Sequence, residues 1–304
     1  VVAESRRQTR IGLNLLTCNL AEQPLHLVAS RYAVQSLLES DIWEYDWRLQ
    51  IVDNGSTCPQ TERWLDELQQ TELRIAVEKV GQNLGIAKGR NIGYQLLALH
   101  EPEFVVELHT DHFFPPAQDG HGRDISWLGP IVEHMRHPAS AQVGIVGPAL
   151  LSDVVNWRVG SAGVSYHWPY EQFRDAVAKR CLAFRHSRKV VPGLTHPAVK
   201  RWSMLEQIGI RQDGLLHCYD PNMPGRQNFE DTEEAFRAWK AGWQVLIHFG
   251  SVVYHHYHFQ RLELTSHPTD YDANNYYCQV KHGPDFITFA TTTLGGWLDR
   301  AYRR

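Results

Sequence analysis

Four short stretches of this 304-residue chain combine residue types at spacings that can do chemistry. Leu108-His109-Thr110-Asp111-His112 sets one carboxylate between two imidazoles, just past the apolar run Phe104–Leu108. A carboxylate there can hold a divalent cation that neutralises phosphate oxygens, and imidazole suits Mn2+ better than Ca2+. A strand end with solvated polar side chains accounts for the same residues equally well. Phe229-Glu230-Asp231-Thr232-Glu233 puts Asp231 at a helix start, where the dipole favours an ionised carboxylate suited to general-base work. Acidic residues in a first helical turn are also ordinary capping chemistry, and spacing alone favours that reading. Tyr254-His255-His256-Tyr257-His258 can contribute a metal ligand, with His256 and His258 on one face of a strand and His255 on the other. Nothing resembling HExxH completes a zinc site from it. Asn83-Leu84-Gly85-Ile86-Ala87-Lys88-Gly89-Arg90-Asn91 is a glycine-bearing turn into a helix with two cations, suited to a diphosphate. It is neither a Walker loop nor GxGxxG, and a capped helix with a basic face explains it as well.

The elements that must position these residues alternate in type. Strands are expected at Ile11–Thr17, Trp47–Val52, Leu73–Glu78 and Phe104–Leu108, and helices at Pro24–Leu38, Thr61–Gln70 and Gly85–Leu99. Such alternation predicts an α/β domain on a mostly parallel sheet, with ligands outside the carboxyl ends of the strands. Thr17–Asn19, Asp53–Ser56 and His109–His112 fall at those ends. Further on, Val143–Pro148 and Val190–Pro192 read as strand ends, and Gly209–Asn228 as a long lid-like loop. A helix at Glu230–Trp239 with Gly242 just past its end follows, then strands at Trp243–His248 and Ser251–Tyr254.

Composition narrows the class. Hydrophobic residues make up 43%, charged residues 21%, and the net charge is −4, values of an ordinary globular enzyme without the basic excess of a nonspecific nucleic-acid binder. The 17 histidines, with 10 Trp and 12 Tyr, invite metal and ring-shaped ligands. Five scattered cysteines with no CxxC pair argue for a reducing, cytoplasmic setting rather than a disulfide framework. No stretch approaches the ~20 apolar residues of a membrane helix, which leaves peripheral contact as the most a membrane would have.

The order of the motifs adds what none carries alone. Ile51-Val52-Asp53-Asn54-Gly55-Ser56-Thr57, then Asn83–Asn91, Leu108–His112, Phe229–Glu233 and Val253-Tyr254-His255 together resemble a GT-A glycosyltransferase of the family 2 type. The resemblance implies one nucleotide-diphosphosugar-binding domain over 10–260, with a nucleotide half (10–112), an acceptor half (113–260) and a C-terminal extension (261–304). It implies a GT-A sheet that is mostly parallel and flanked by helices. Asp53 would accept a hydrogen bond from the nucleotide base, Thr17 would line the same pocket, and Asn83, Arg90, Thr110 and Gly193 would complete the donor site. Asp111 matches the last aspartate of the family's DxD metal motif, whose first aspartate is His109 here; His255 matches the late histidine, with His256 and His258 in reserve. Mn2+ or Mg2+ is the implied cofactor. Asp231, next to Glu230, matches the catalytic base of inverting members, acting on a glycan or small-molecule acceptor. Trp202, Trp239 and Trp243 could stack on a sugar, although aromatics beside helices are more often core. A nucleotidyltransferase is disfavoured, because Thr17-Cys18-Asn19-Leu20 lacks its Gly-rich basic signature. A catalytically silent sugar-nucleotide or glycan-binding module and a retaining enzyme are the remaining alternatives.

Overall fold

The apolar runs of the first half assemble in parallel. β1 (Arg10–Thr17) lies between β2 (Asp46–Asp53) and β4 (Phe104–Leu108), and β3 (Ile75–Lys79) extends the sheet beyond β2. Ile11 to Leu15 and all of Phe104–Leu108 are buried, as strands covered on both faces must be. The computed structural model describes residues 8–118, 121–152, 170–184, 190–194, 196–226, 228–255 and 268–294. His256 and His258 lie outside them.

Helices α1 (Pro24–Leu38) and α2 (Pro59–Thr71) both open on a proline, whose fixed φ and missing N–H suit a first turn. α3 (Ile86–Ala98) crosses β1 closely because Gly89 and Gly93 carry no side chain there. A Cβ on Gly93 would sit 2.1 Å from Asn14 Oδ1, and one on Gly89 2.6 Å from Leu16.

Beyond β4 the sheet turns mixed, so the expected parallel order holds for its first half. β5 (His112–Phe113) leads past α4 (Gly129–Arg136) to β6 (Val143–Ser152), and α5 (Tyr170–Phe184) precedes β7 (Val190–Pro192). β8 (Ala198–Arg201) runs antiparallel to both β4 and β6. After α6 (Trp202–Ile208), the expected long loop at Gly209–Asn228 is a correction: it begins with a hairpin of β9 (Ile210–Gln212) and β10 (Leu215–His217). Asp213 and Gly214 both have positive φ, 52° and 77°, as a two-residue hairpin turn demands. Asn91 then pins the segment by bonding both the N–H and the C=O of Tyr219.

α7 (Glu230–Lys240) ends as the sequence leads one to expect. Gly242 has φ 87°, its N–H bonds Trp239 O, and Trp243 N–H bonds Ala238 O, a paired C-cap that closes the last turn. The two strands expected next are one, β11 (Gln244–His255), bent by a register shift between His248 and Val252. β11 pairs β6 in parallel and β5 and β7 antiparallel. α8 (Pro268–His282) and α9 (Pro284–Thr288) pack back onto the domain.

The core divides by face. Phe104, Val106 and Leu108 point to a cluster with Leu27, Val34, Trp64, Leu65 and Ile131, while Val105 points to one with Tyr94, Met204, Phe236 and Phe286. Glu107 shares the face of Val105, which sets up the site described next. Among the described residues no helix is long and apolar enough to cross a membrane, and the five cysteines are free.

Candidate active site

Register places the first two residues. Thr17 and Asp53 are direct partners where β1 and β2 end. Thr17 Oγ1 lies 3.2 Å from Ser30 Oγ, and Asp53 Oδ1 accepts the Ser56 N–H three residues on, which fixes the turn after β2. Asn54 ties this turn to the next motif: its Nδ2 donates to Asn83 Oδ1 and to Gly85 O, and its Oδ1 accepts Leu84 N–H. Gly85 has φ 84° and faces the Arg226 backbone, so the tie depends on a residue without Cβ. A groove of about 270 Å³ opens beside it, with Lys88 and Arg226 exposed at its wall.

Arg90 is enclosed, 2% exposed. Its guanidinium donates to Asn14 O and Leu108 O, so it locks the ends of β1 and β4 together rather than presenting its charge to a ligand. Glu107, one turn of the pleat before the metal motif, sits in a buried network. Its Oε2 accepts Tyr94 OH, Lys200 Nζ and Tyr219 OH, and Lys200 also pairs with Glu234 at 2.7 Å. Burial opposes ionisation of Glu107, yet Lys200 and then Arg90 hold its carboxyl well below the usual range.

The pairing of β5 with β11 sets His255 directly opposite His112. Their rings lie 4.7 Å apart, and His255 Nε2 is 3.1 Å from Asp111 Oδ2. Burial would raise the Asp111 carboxyl, but His255, then His112 and His109, pull it well below the ordinary carboxylate value. Ligand atoms of Asp111, His112 and His255 all lie within 4.8 Å of one another. Asp111 Oδ1 is buried and accepts no hydrogen bond, a feature a cation would satisfy. A carboxylate with two imidazoles fits a Mn2+-like ion better than a Ca2+-like one. His109 is not in this group. It turns to Glu107, with Nε2 3.6 Å from Oε1, which corrects its expected place beside Asp111. Thr110 lies part-buried in the turn between them.

The second carboxylate is held from two sides. Asn228 and Phe229, immediately before α7, both take left-handed φ, 70° and 68°, a strain of about 1–3 kcal/mol each. Asn274 of α8 bonds Asn228 O, and the Phe229 ring packs against Phe286, so the C-terminal helices stabilise this turn. Asp231 Oδ1 accepts Thr232 N–H, and its Oδ2 lies 3.1 Å from His196 Nε2. Burial opposes ionisation of Asp231, but the His196 contact and the Thr232 N–H hold its carboxyl below the usual value. Neighbouring Glu230 goes the other way: burial, then the Asp231 charge, pushes it up to about 8. The two adjacent carboxyls are therefore split, one ionised and one holding its proton at neutral pH.

This split has a stability consequence. Between pH 4.5 and about 8, folded Glu230 keeps a proton that the unfolded chain has lost, so this group makes stability fall as pH rises. Glu230→Gln should remove that decline. In urea unfolding, its stability relative to wild type is expected to grow with pH, on the order of 1 kcal/mol per unit at the steepest.

A row of imidazoles joins the two carboxylates. Ring centroids step 4.7 Å from His255 to His112, 4.9 Å to His109 and 5.1 Å to His196, which touches Asp231. Sequence reasoning missed Glu107, His196, Lys200 and Tyr219. The Glu-x-His-x-Asp alternation of Glu107, His109 and Asp111 was a readable signal for the first; the others arrive only through β8 and the segment after β10. Gly193 lies beside Ile247, where a Cβ would be 2.4 Å from a side-chain methyl. Trp202 and Trp243 pack against the second core, whereas Trp239 is 42% exposed.

Residues 31–180 match the model of the family Glycosyl transferase family 2. The fold is similar to that of GalNAc-T7 crystallised with UDP, GalNAc and Mn2+, with TM-score 0.56 and 13% identity. It is also similar to residues 1–349 of S. aureus TarS in complex with UDP, with TM-score 0.50 and 14% identity. The matches cover 84% and 82% of this chain but only 45% and 60% of those two proteins. No curated protein matches the sequence significantly.

Proposed function

We propose that the chain is a GT-A glycosyltransferase of the family 2 type, one that moves a sugar from a nucleoside-diphosphate donor to an acceptor hydroxyl with inversion. The carrying observation is the placement of two ionised carboxylates, Asp111 and Asp231, at opposite ends of one row of histidines. They divide the work. Thr17, Asp53 and Asn83 line the strand ends where the nucleotide binds, with the loops around them prelocked by Asn54. Asp111, His112 and His255 would hold a divalent ion, Mn2+ or Mg2+, which when bound offsets the charge of the departing diphosphate.

Asp231 takes the proton from the acceptor hydroxyl as that oxygen attacks the anomeric carbon from the face opposite the leaving group. His196 fixes one carboxylate oxygen, and the side chain remains 29% exposed, reachable by an acceptor. Glu230 keeps its proton and so adds no second negative charge. Support for the donor class comes from the sheet edge and from the UDP-bound relatives. Calorimetry with UDP and GDP, with and without Mn2+, tests the reading: at least one nucleotide should bind more tightly with the metal, and Asp53→Ala should weaken that binding about tenfold. Indifference of both nucleotides to Mn2+ would count against it.

A further inference from the structure

A second cluster of ligating atoms lies next to the first and is separate from it. Glu107 Oε1, His109 Nε2 and His196 Nδ1 all lie within 4.8 Å of one another. The two nitrogens are 3.6 and 3.8 Å from the carboxylate oxygen, too far for hydrogen bonds, and both are buried atoms with no partner. Separations of that size are what two ligand atoms show when an ion about 2.0–2.2 Å from each lies between them.

The surroundings fix each ligand for that task. Three donors, Tyr94, Lys200 and Tyr219, occupy Glu107 Oε2 and leave Oε1 aimed at the imidazoles. His196 Nε2 bonds Asp231 Oδ2, so it carries the proton there and its Nδ1 lone pair faces Glu107. A carboxylate on the far nitrogen of a ligating histidine is the usual way such a ring is oriented. Without an intervening cation, Nδ1 either sets a lone pair against a carboxylate oxygen or carries a second proton toward it at 3.8 Å, too far for a hydrogen bond. Charges nearby balance: Glu107 and Glu234 against Lys200 and Arg90, whose Nη atoms are committed to Asn14 O and Leu108 O. Arg90 Nε lies 3.7 Å from Glu107 Oε1.

We propose that Glu107, His109 and His196 form a second divalent-metal site, distinct from the one at Asp111, His112 and His255. Two imidazoles and one carboxylate select a zinc-like first-row ion over Mg2+. Metal at this site commits His196 to its Nε2–H form and thereby holds Asp231 in place. This last consequence rests on Asp231 being the base; the metal site itself does not.

The test uses the untagged full chain, stripped with chelator, and equilibrium dialysis against Zn2+, with Co2+ absorption reporting nitrogen and oxygen ligation. Wild type should hold one more tightly bound equivalent than His109→Asn, and His196→Gln should lose the same one. Asp111→Asn should lose a different equivalent, and the His109→Asn/Asp111→Asn pair should lose both. His109 is part-exposed and makes no hydrogen bond through Nε2, so its variant should melt with wild type in chelator. Loss in His109→Asn while Asp111→Asn keeps its full complement supports this site and counts against the Asp111 one, so the two readings fail separately. Equal Zn2+ stoichiometry in wild type, His109→Asn and His196→Gln overturns the proposal and leaves a protonated His196 between the two carboxylates.

Discussion

Asp231→Asn is expected to lower kcat for sugar transfer by about 10²–10⁴-fold while leaving the donor KM near wild type. The substitution keeps the size of the side chain and one oxygen for Thr232 N–H, so α7 and its first turn should survive, while the oxygen that faces His196 becomes an amide nitrogen. What it removes is an ionised carboxylate open to an acceptor, beside a Glu230 that is enclosed and protonated. The effect falls on a step made only in the transition state, which is why kcat and kcat/KM should drop together. Steady-state kinetics on the variant check this. A kcat within threefold of wild type would remove Asp231 from the mechanism.

The second large effect belongs to Asp111→Ala. Asp111 supplies the only carboxylate in its group, and one of its oxygens is buried without a hydrogen bond. Losing a supporting partner of a metal ligand costs about 10–100-fold in affinity, and losing the ligand itself should cost more than that. Mn2+ affinity should therefore fall by over 10²-fold, and the Mn2+ dependence of donor binding should vanish with it. His112 and His255 would remain, yet two neutral imidazoles leave the ion's charge uncompensated. An Mn2+ response equal to wild type would place the metal elsewhere.

Much of this site could be read from local sequence because it lies at the ends of strands whose neighbours are set early. Phe104–Leu108 is apolar throughout but for Glu107, and the strand delivers Asp111 to the sheet edge as expected. α1 falls on its expected span, Pro24–Leu38, because a proline opens it and no glycine or second proline interrupts it. Long-range partners were harder. His196 reaches Asp231 across a sequence separation of 35, and Lys200 reaches Glu107 across one of 93, distances over which no periodicity speaks. The motif position of His109 implies the metal at Asp111, yet its Nε2 lies 3.6 Å from Glu107 Oε1 and outside the Asp111 group, a choice between two same-face neighbours that alternation does not decide. The hairpin of β9 and β10 carried a readable Asp213-Gly214 signal that the density of turn residues around it obscured. The extension after 260 showed no motif, because its contribution is to hold a strained turn from outside through Asn274 and Phe286.

Release of nucleoside diphosphate from a panel of UDP-, GDP- and dTDP-sugars, with and without Mn2+, tests the central claim most directly. One base class should be turned over, faster with Mn2+, and that release should disappear in Asp231→Asn although the donor still binds. Tight donor binding with no release from wild type, candidate acceptors included, would contradict the account and make the chain a binding module instead.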